Sequence, residues 1–479
     1  MELLLDLAEG LLEEFGQEPP RPNFPFPSEL PDTDALLELR PDGLKGRGWY
    51  AKRAMEAGTV LMVSKPLAMM MDWQDPDAQE EDQDFDPEQD NEEDESDQYV
   101  LSKLNELLLL ELCRAVNRDP SLWTDKLSKL FPRDEEDMLT LTQWVCQMDA
   151  LFSKFGQEVK QLKEHFGAEE TGAIMTRLPL VVRYNVLSVE TCPELLVHPS
   201  PSRGFSGLSG AGLYFEPSYF NHDAHPNVSR YAVGDVMWFV ANQVIAEGQE
   251  CCLSYLEHEV LCEAPFRRNA MLEMDFTEPV TMEEDGLEDG QQQEQHDEDD
   301  GPLFPVIDAM LQNELMQMET SERLQAIQEL MEQALGERLP EDERVIPEDG
   351  ELRMEGGLPV WFQCDVQNLR ILQALTLEAM GQHRQAMSVW ELCIQYCTDK
   401  LPPNDEALVV VLVQGALCAQ CCAEEDEKAQ QYAAKALQVH HTIFGGSMER
   451  FRRRYEREFQ LALRPDGCGA NPDELWPPM

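Results

Sequence analysis

The sequence predicts an α+β protein: a β-rich part with a helical insertion, followed by an all-α C-terminal domain. Three observations carry this. The stretch TVLMVSKPLAMMM, Thr59 to Met71, is β-branched and apolar and follows a glycine turn, as a buried strand does. From Tyr99 to about Phe166 the apolar positions recur at helical spacing, as in YVLSKLNELLLLELCRAV. DVMWFVANQVIAEGQECCLSYL, Asp235 to Leu256, returns to strands, and past Leu303 the pattern is helical to about Leu463. At 479 residues the chain is too long for one ordinary core, so several domains are expected.

Taken in order, residues 1–35 are an N-terminal segment. It opens on MELLLDLAEGLLEEFGQ, an acidic amphipathic helix without the cationic flank of a signal peptide, and then becomes Pro-rich. Residues 36–71 carry the first strands. Residues 72–98 and 281–302 are acidic: Asp72 to Gln98 and Glu283 to Gly301 contain no Lys or Arg. Such runs repel themselves and bury too little apolar surface to fold, so both are expected to be disordered. They are either plain solvated loops or a lure for basic substrate tails, one that salt weakens. Residues 99–182 form the helical insertion. In 183–280 strands return: Val236, Trp238 and Val240 alternate with Met237 and Phe239, Ala246 to Gln249 turns, and Glu250 to Leu256 is a second strand. Residues 303–463 form the helical domain and 464–479 a C-terminal tail.

Composition excludes some functions. The formal charge is −56, from 93 acidic and 37 basic residues. Direct nucleic-acid binding needs a cationic face and is not expected; basic protein partners are. No uncharged apolar run reaches the roughly 18 residues of a membrane span. The 13 cysteines, spread along a chain with no secretory signal, are expected to be reduced thiols inside a cell.

Chemistry concentrates in EPSYFNHDAHPNVSRY, residues 216 to 231, where Asn221, His222, His225 and Asn227 fall within seven positions around Pro226. Three other stretches stand with it: LKGRGWYAKRAMEAGTVLM from Leu44, RYNVLS from Arg183, and EGQECCLSYLE from Glu247. In that order the four stretches resemble a SET-domain lysine methyltransferase, most closely the SET-and-MYND group. The resemblance covers about Leu36 to Phe276.

The resemblance implies S-adenosylmethionine as cofactor and a pseudo-knotted β-fold in which residues 216–231 thread under another strand. It implies that the loop of Lys45, Gly46, Arg47 and Gly48 holds the cofactor's amino-acid end, with glycines letting backbone approach. Asn185, Asn221 and His222 would contact the cofactor, Tyr255 would be the catalytic tyrosine at the mouth of a lysine channel, and Phe276 would supply an aromatic wall. Duller readings stand beside these. Asn185 suits a turn or cap, His222 a hydrogen-bonded structural histidine, His225 a loop, and Tyr255 a sheet aromatic. Methyl transfer to a neutral amine is an in-line displacement that needs alignment and a desolvated lysine more than an imidazole base.

The sequence departs from that family twice. Ala224 stands where relatives carry Cys, and RRNAMLEMDFTEPV, Arg267 to Val280, lacks the post-SET cysteines. The run 72–98 contains no Cys or His where a MYND module would lie. Tetrahedral zinc needs a full ligand set, so no metal is expected. In the helical half Cys393, Cys397, Cys418, Cys421 and Cys422 sit beside Leu and Val, as core thiols or, less simply, ligands. Ala386, Trp390 and Cys393, then Ala429, Ala433 and Ala436, share a helical face, resembling degenerate tetratricopeptide repeats or a generic bundle.

The sequence thus points to a nuclear or cytoplasmic protein-lysine methyltransferase acting on a basic protein such as a histone tail. The alternatives are a scaffold whose tail and acidic runs recruit basic partners, and an acidic histone chaperone.

Overall fold

A computed structural model describes residues 31–42, 46–71, 102–134, 137, 154–190, 209–233, 236–256, 315, 317–338, 360–422, 425–445, 448–463 and 468–477. The two acidic runs, Lys45 and Phe276 lie outside the described residues.

A short helix, α1 (Thr33–Leu36), capped by the Asp32 carboxylate, leads into the hairpin β1 (Leu37–Asp42) and β2 (Gly46–Ala51). The apolar run after Gly58 is not one strand. It splits into β3 (Val60–Ser64) and β4 (Ala68–Met71) at Lys65-Pro66-Leu67. Pro66 cannot donate to a ladder, so pairing stops there. The two halves then enter different sheets, β3 beside β9 and β4 beside β6.

The insertion is α2 (Lys103–Arg118), α3 (Ser121–Asp125) and α4 (Gly156–Asn185). Ser102 caps α2 by accepting from Asn105 N, and Leu108, Leu109, Leu112, Cys113 and Val116 bury one face of it. Gly167 (φ 80°) kinks α4. The chain returns through β5 (Val186–Glu190), β6 (Ser209–Leu213), β7 (Asn221–His222), β8 (Val228–Val233), β9 (Val236–Ala241) and β10 (Cys252–Leu253). The sheets are small and separate: β1-β2, β3-β9-β8, β4-β6-β5 and the parallel pair β7-β10. The second strand expected over Glu250 to Leu256 shrinks to β10, with an isolated bridge from Glu250 to Tyr50, and Tyr255 sits in a bend beyond it.

The C-terminal half is α5 (Thr320–Arg338), α6 (Val360–Ala379), α7 (His383–Lys400), α8 (Glu406–Gln420), α9 (Asp426–Phe444), α10 (Met448–Arg454), α11 (Glu456–Leu463) and α12 (Pro472–Leu475). Gly381 (φ 70°) turns α6 into α7. Ala386, Trp390 and Cys393 are buried on one face of α7, and Ala429, Ala433 and Ala436 on one face of α9. Cys393, Cys397, Cys418 and Cys422 are core residues, and burial pushes the Cys393 thiol up to about 12.

Residues 468–477 do not trail as a tail. Trp476 is 1% exposed, stacks on Phe459 at 5.2 Å and donates from Nε1 to Ala433 O (3.2 Å). The helical half packs on the sheets. Phe444 meets Tyr231 edge-on at 5.0 Å, and Asn404 Nδ2 donates to Asn242 O (2.6 Å). Among the described residues no helix is long and apolar enough to cross a membrane.

Candidate active site

The parallel pairing of β7 with β10 sets Asn221 against Cys252 and His222 against Leu253. It is held by side chains. Asn221 Nδ2 donates to Glu250 Oε1 (2.7 Å). Asn227 works in both directions, donating from Nδ2 to Glu250 O (2.7 Å) and accepting at Oδ1 from Cys252 N (2.8 Å). Both asparagines are buried, where an unmade hydrogen bond is costly. The Asn-His and Pro-Asn halves of the motif therefore act on the same partner, the stretch Glu250–Leu253.

Gly48 is explained by this clamp. A Cβ at Gly48 would lie 2.6 Å from Asn221 Nδ2 and closer still to Glu250 Oε1. The glycine leaves room for an internal hydrogen bond. Gly46 differs: its φ is 91° and a Cβ would meet nothing within 4 Å. Beside it the Arg47 guanidinium lies 4.8 Å over the Tyr219 ring and donates to the Lys129 carbonyl. Burial raises the Tyr219 pKa, against the pull of Arg47.

His222 Nδ1 accepts from Tyr255 N (3.0 Å), and the two rings lie 5.3 Å apart. An accepting Nδ1 assigns the ring proton to Nε2 and gives His222 a structural task. The Tyr255 hydroxyl donates to the Phe220 carbonyl (2.8 Å), and burial raises its pKa well above the ordinary phenol value. Tyr255 is thus a neutral phenol at neutral pH.

Asn185 ends α4 and spends both amide hydrogens on carbonyls, those of Phe131 (2.7 Å) and Val181 (2.9 Å). Arg177 donates to Ser128 O (2.9 Å) and Pro132 O (3.0 Å). Arg47, Arg177 and Asn185 therefore pin one turn, residues 128–132, from three sides. The structure brings Gly48, Asn221, His222 and Tyr255 together, with Gly46 and Arg47 at the adjoining strand end. Asn185 reaches them only through the pinned turn. Sequence reasoning missed Tyr219 and the pairing duty of Glu250 and Asn227. The spacing of the Glu-Gly-x-Glu turn was the available signal for Glu250; nothing local marked Tyr219.

Beside this site a cleft of 620 Å³ separates the sheets from the helical half. Leu253, Ser254 and Leu256, which flank Tyr255, line one side, and Tyr396, Leu401 and Phe444 line the other. Among the described residues no group of three or more His, Cys, Asp or Glu is placed to hold a metal ion.

Residues 46–256 match the family model described as the SET domain. The match begins at Gly46 and ends one residue past Tyr255, enclosing the clamp and the helical insertion. A comparison with curated proteins returned no match.

Proposed function

We propose that the protein is an S-adenosylmethionine-dependent protein-lysine N-methyltransferase. The observation that carries this reading is the clamp of Asn221, Asn227 and Glu250. It sets Tyr255 at the end of β10, beside a cleft walled by the helical half.

The residues fit the cofactor in part. Gly46 offers open backbone and Arg47 a cation, a donor set suited to the carboxylate of an amino acid. Asn185 and Asn221 have committed amide hydrogens to the protein, so their support for the cofactor is indirect: Asn221 shapes the floor beneath Gly48, and Asn185 fixes the turn that receives Arg47. When bound, the cofactor supplies an electrophilic methyl on sulfur.

The chain's own groups align and dehydrate the acceptor. The Tyr255 hydroxyl hydrogen is committed to Phe220, so what it offers an incoming amine is oxygen lone pairs, which orient an N–H. A neutral phenol is no base. The lysine loses its proton through desolvation, because burial disfavours the ammonium form. His222 holds Tyr255 by its backbone.

The net charge of −56 supports a basic protein substrate such as a histone tail, and a nuclear or cytoplasmic setting goes with it. The paired helices α6–α9, with small residues at their contacts, support a tetratricopeptide-like tail as a further partner surface. The test is incubation of the full chain with methyl-labelled S-adenosylmethionine and histones or cell lysate. Labelled methyl-lysine in the protein hydrolysate is the expected result. Tight cofactor binding by calorimetry without any labelled product would favour the scaffold reading.

A further inference from the structure

The site leaves the thiols of the helical half unused, and two of them meet. Cys421 ends α8 and is half-buried; Cys468 opens the C-terminal segment and is 6% exposed. The Cys421 thiol donates to the Cys468 carbonyl oxygen (3.0 Å), which sets the two cysteines side by side. Contacts that involve neither sulfur hold the two segments together. Asn471 N donates to Gln420 Oε1 (2.9 Å), and Gln420 Nε2 donates to Glu474 Oε2 (3.0 Å). Trp476 is anchored in the core through its bond to Ala433 on α9.

We propose that Cys421 and Cys468 form a dithiol modification site that a hydroperoxide converts to a disulfide. Three features set the order of events. Cys421 is the one described cysteine that is not fully buried, so the oxidant reaches it. The Cys468 thiol, donating to it, holds its pKa below the ordinary thiol value, which favours the reactive thiolate. The remaining thiols are poor competitors: burial pushes Cys113, Cys251 and Cys393 to about 12. Cys418, in the same helix, turns its Sγ to the His383 carbonyl (3.4 Å).

In the first step the Cys421 thiolate attacks the peroxide. A sulfur–oxygen bond forms and the oxygen–oxygen bond breaks; hydroxide or alkoxide leaves, takes up the proton that the thiol had released, and departs as water or alcohol, with a sulfenic acid left on Cys421. In the second, the Cys468 sulfur attacks that sulfenic sulfur. The disulfide bond forms, hydroxide leaves, and the Cys468 proton goes with it as water. Two thiols lose two electrons in all and the peroxide gains them. The product closes a loop over α9, α10 and α11 and ties the segment bearing Trp476 to α8.

Peptide mapping of the full chain tests this. The protein is treated with a few equivalents of hydrogen peroxide, alkylated under denaturing conditions and digested. The expected result is a linked peptide joining Cys421 to Cys468, abolished by dithiothreitol, with Cys113 and Cys393 still alkylated. The oxidised protein should also melt several degrees higher, because the crosslink restricts the unfolded chain. In Cys468→Ser, Cys421 should stop at a sulfenic acid that dimedone traps. A map in which Cys421 stays alkylated, pairs with Cys418 or Cys422, or oxidises no faster than Cys113 overturns the proposal. The wild-type map decides this even if Cys468→Ser fails to fold.

Discussion

Asn221, Gly48 and Glu250 form one mutual arrangement, so their substitutions should share an effect. Asn221→Ala leaves Glu250 without its side-chain donor and should lower folding stability by roughly 1–3 kcal/mol, the scale of an unpaired buried group. Gly48→Ala should do at least as much, since its methyl would overlap both partners. Urea melts of the two variants check both, and wild-type stability in either would show that the clamp does not hold this part of the fold. Glu378 titrates where it can be watched. Burial pushes its carboxyl up to about 7, against a hydrogen bond from Trp390 (2.7 Å). The folded state therefore keeps a proton that the unfolded state releases near pH 4.5, the ordinary value. Stability from this group is full below that pH and declines as pH rises through about 7. Denaturant melts between pH 5 and 8 should show the decline, and Glu378→Gln should flatten it.

At the scale of elements, β7 and β10 are two-residue strands, too short to hold by backbone pairing alone, and Asn227 supplies the difference. Asn227→Ala should cost about 2–4 kcal/mol, because it strands the Cys252 N–H and the Glu250 carbonyl. Urea melts would measure it; a loss under about 0.5 kcal/mol, the size of a neutral surface change, would show that the pairing stands without it. The same elements show what was legible beforehand. Asn221, His222 and Tyr255 were singled out through the resemblance of two separate stretches, which the parallel pairing of β7 with β10 brings together. The faces of α7 and α9 were readable because helical spacing repeats locally. Three features needed the fold. An apolar run does not say into which sheet each half goes, so the break at Pro66 passed unseen. Gly48 faces a carboxylate about two hundred residues away in the chain. Trp476 sits in a polar, Pro-containing stretch with no periodicity, yet fills a core between α9 and α11.

Across the whole molecule, the helical half leans on the sheets at Tyr231 and Asn242 and closes one wall of the cleft beside Tyr255. With a net charge of −56, a basic substrate should be gathered by long-range attraction. Raising salt should lower kcat/KM for such a substrate while leaving kcat nearly unchanged, since screening weakens encounter and not the buried chemistry. A salt-independent kcat/KM would remove the steering role. The central claim is that this chain transfers methyl groups to lysine through the arrangement around Tyr255. It is tested most directly by labelled methyl incorporation into lysine, run in parallel on wild type and Tyr255→Phe, with cofactor affinity measured on both. The account predicts incorporation by wild type, unchanged cofactor affinity in the variant because the ring still packs on His222, and a turnover lower by roughly 10²-fold, the scale of one positioned polar group. Equal incorporation by the two proteins, or none by a wild-type protein that binds the cofactor, would contradict it.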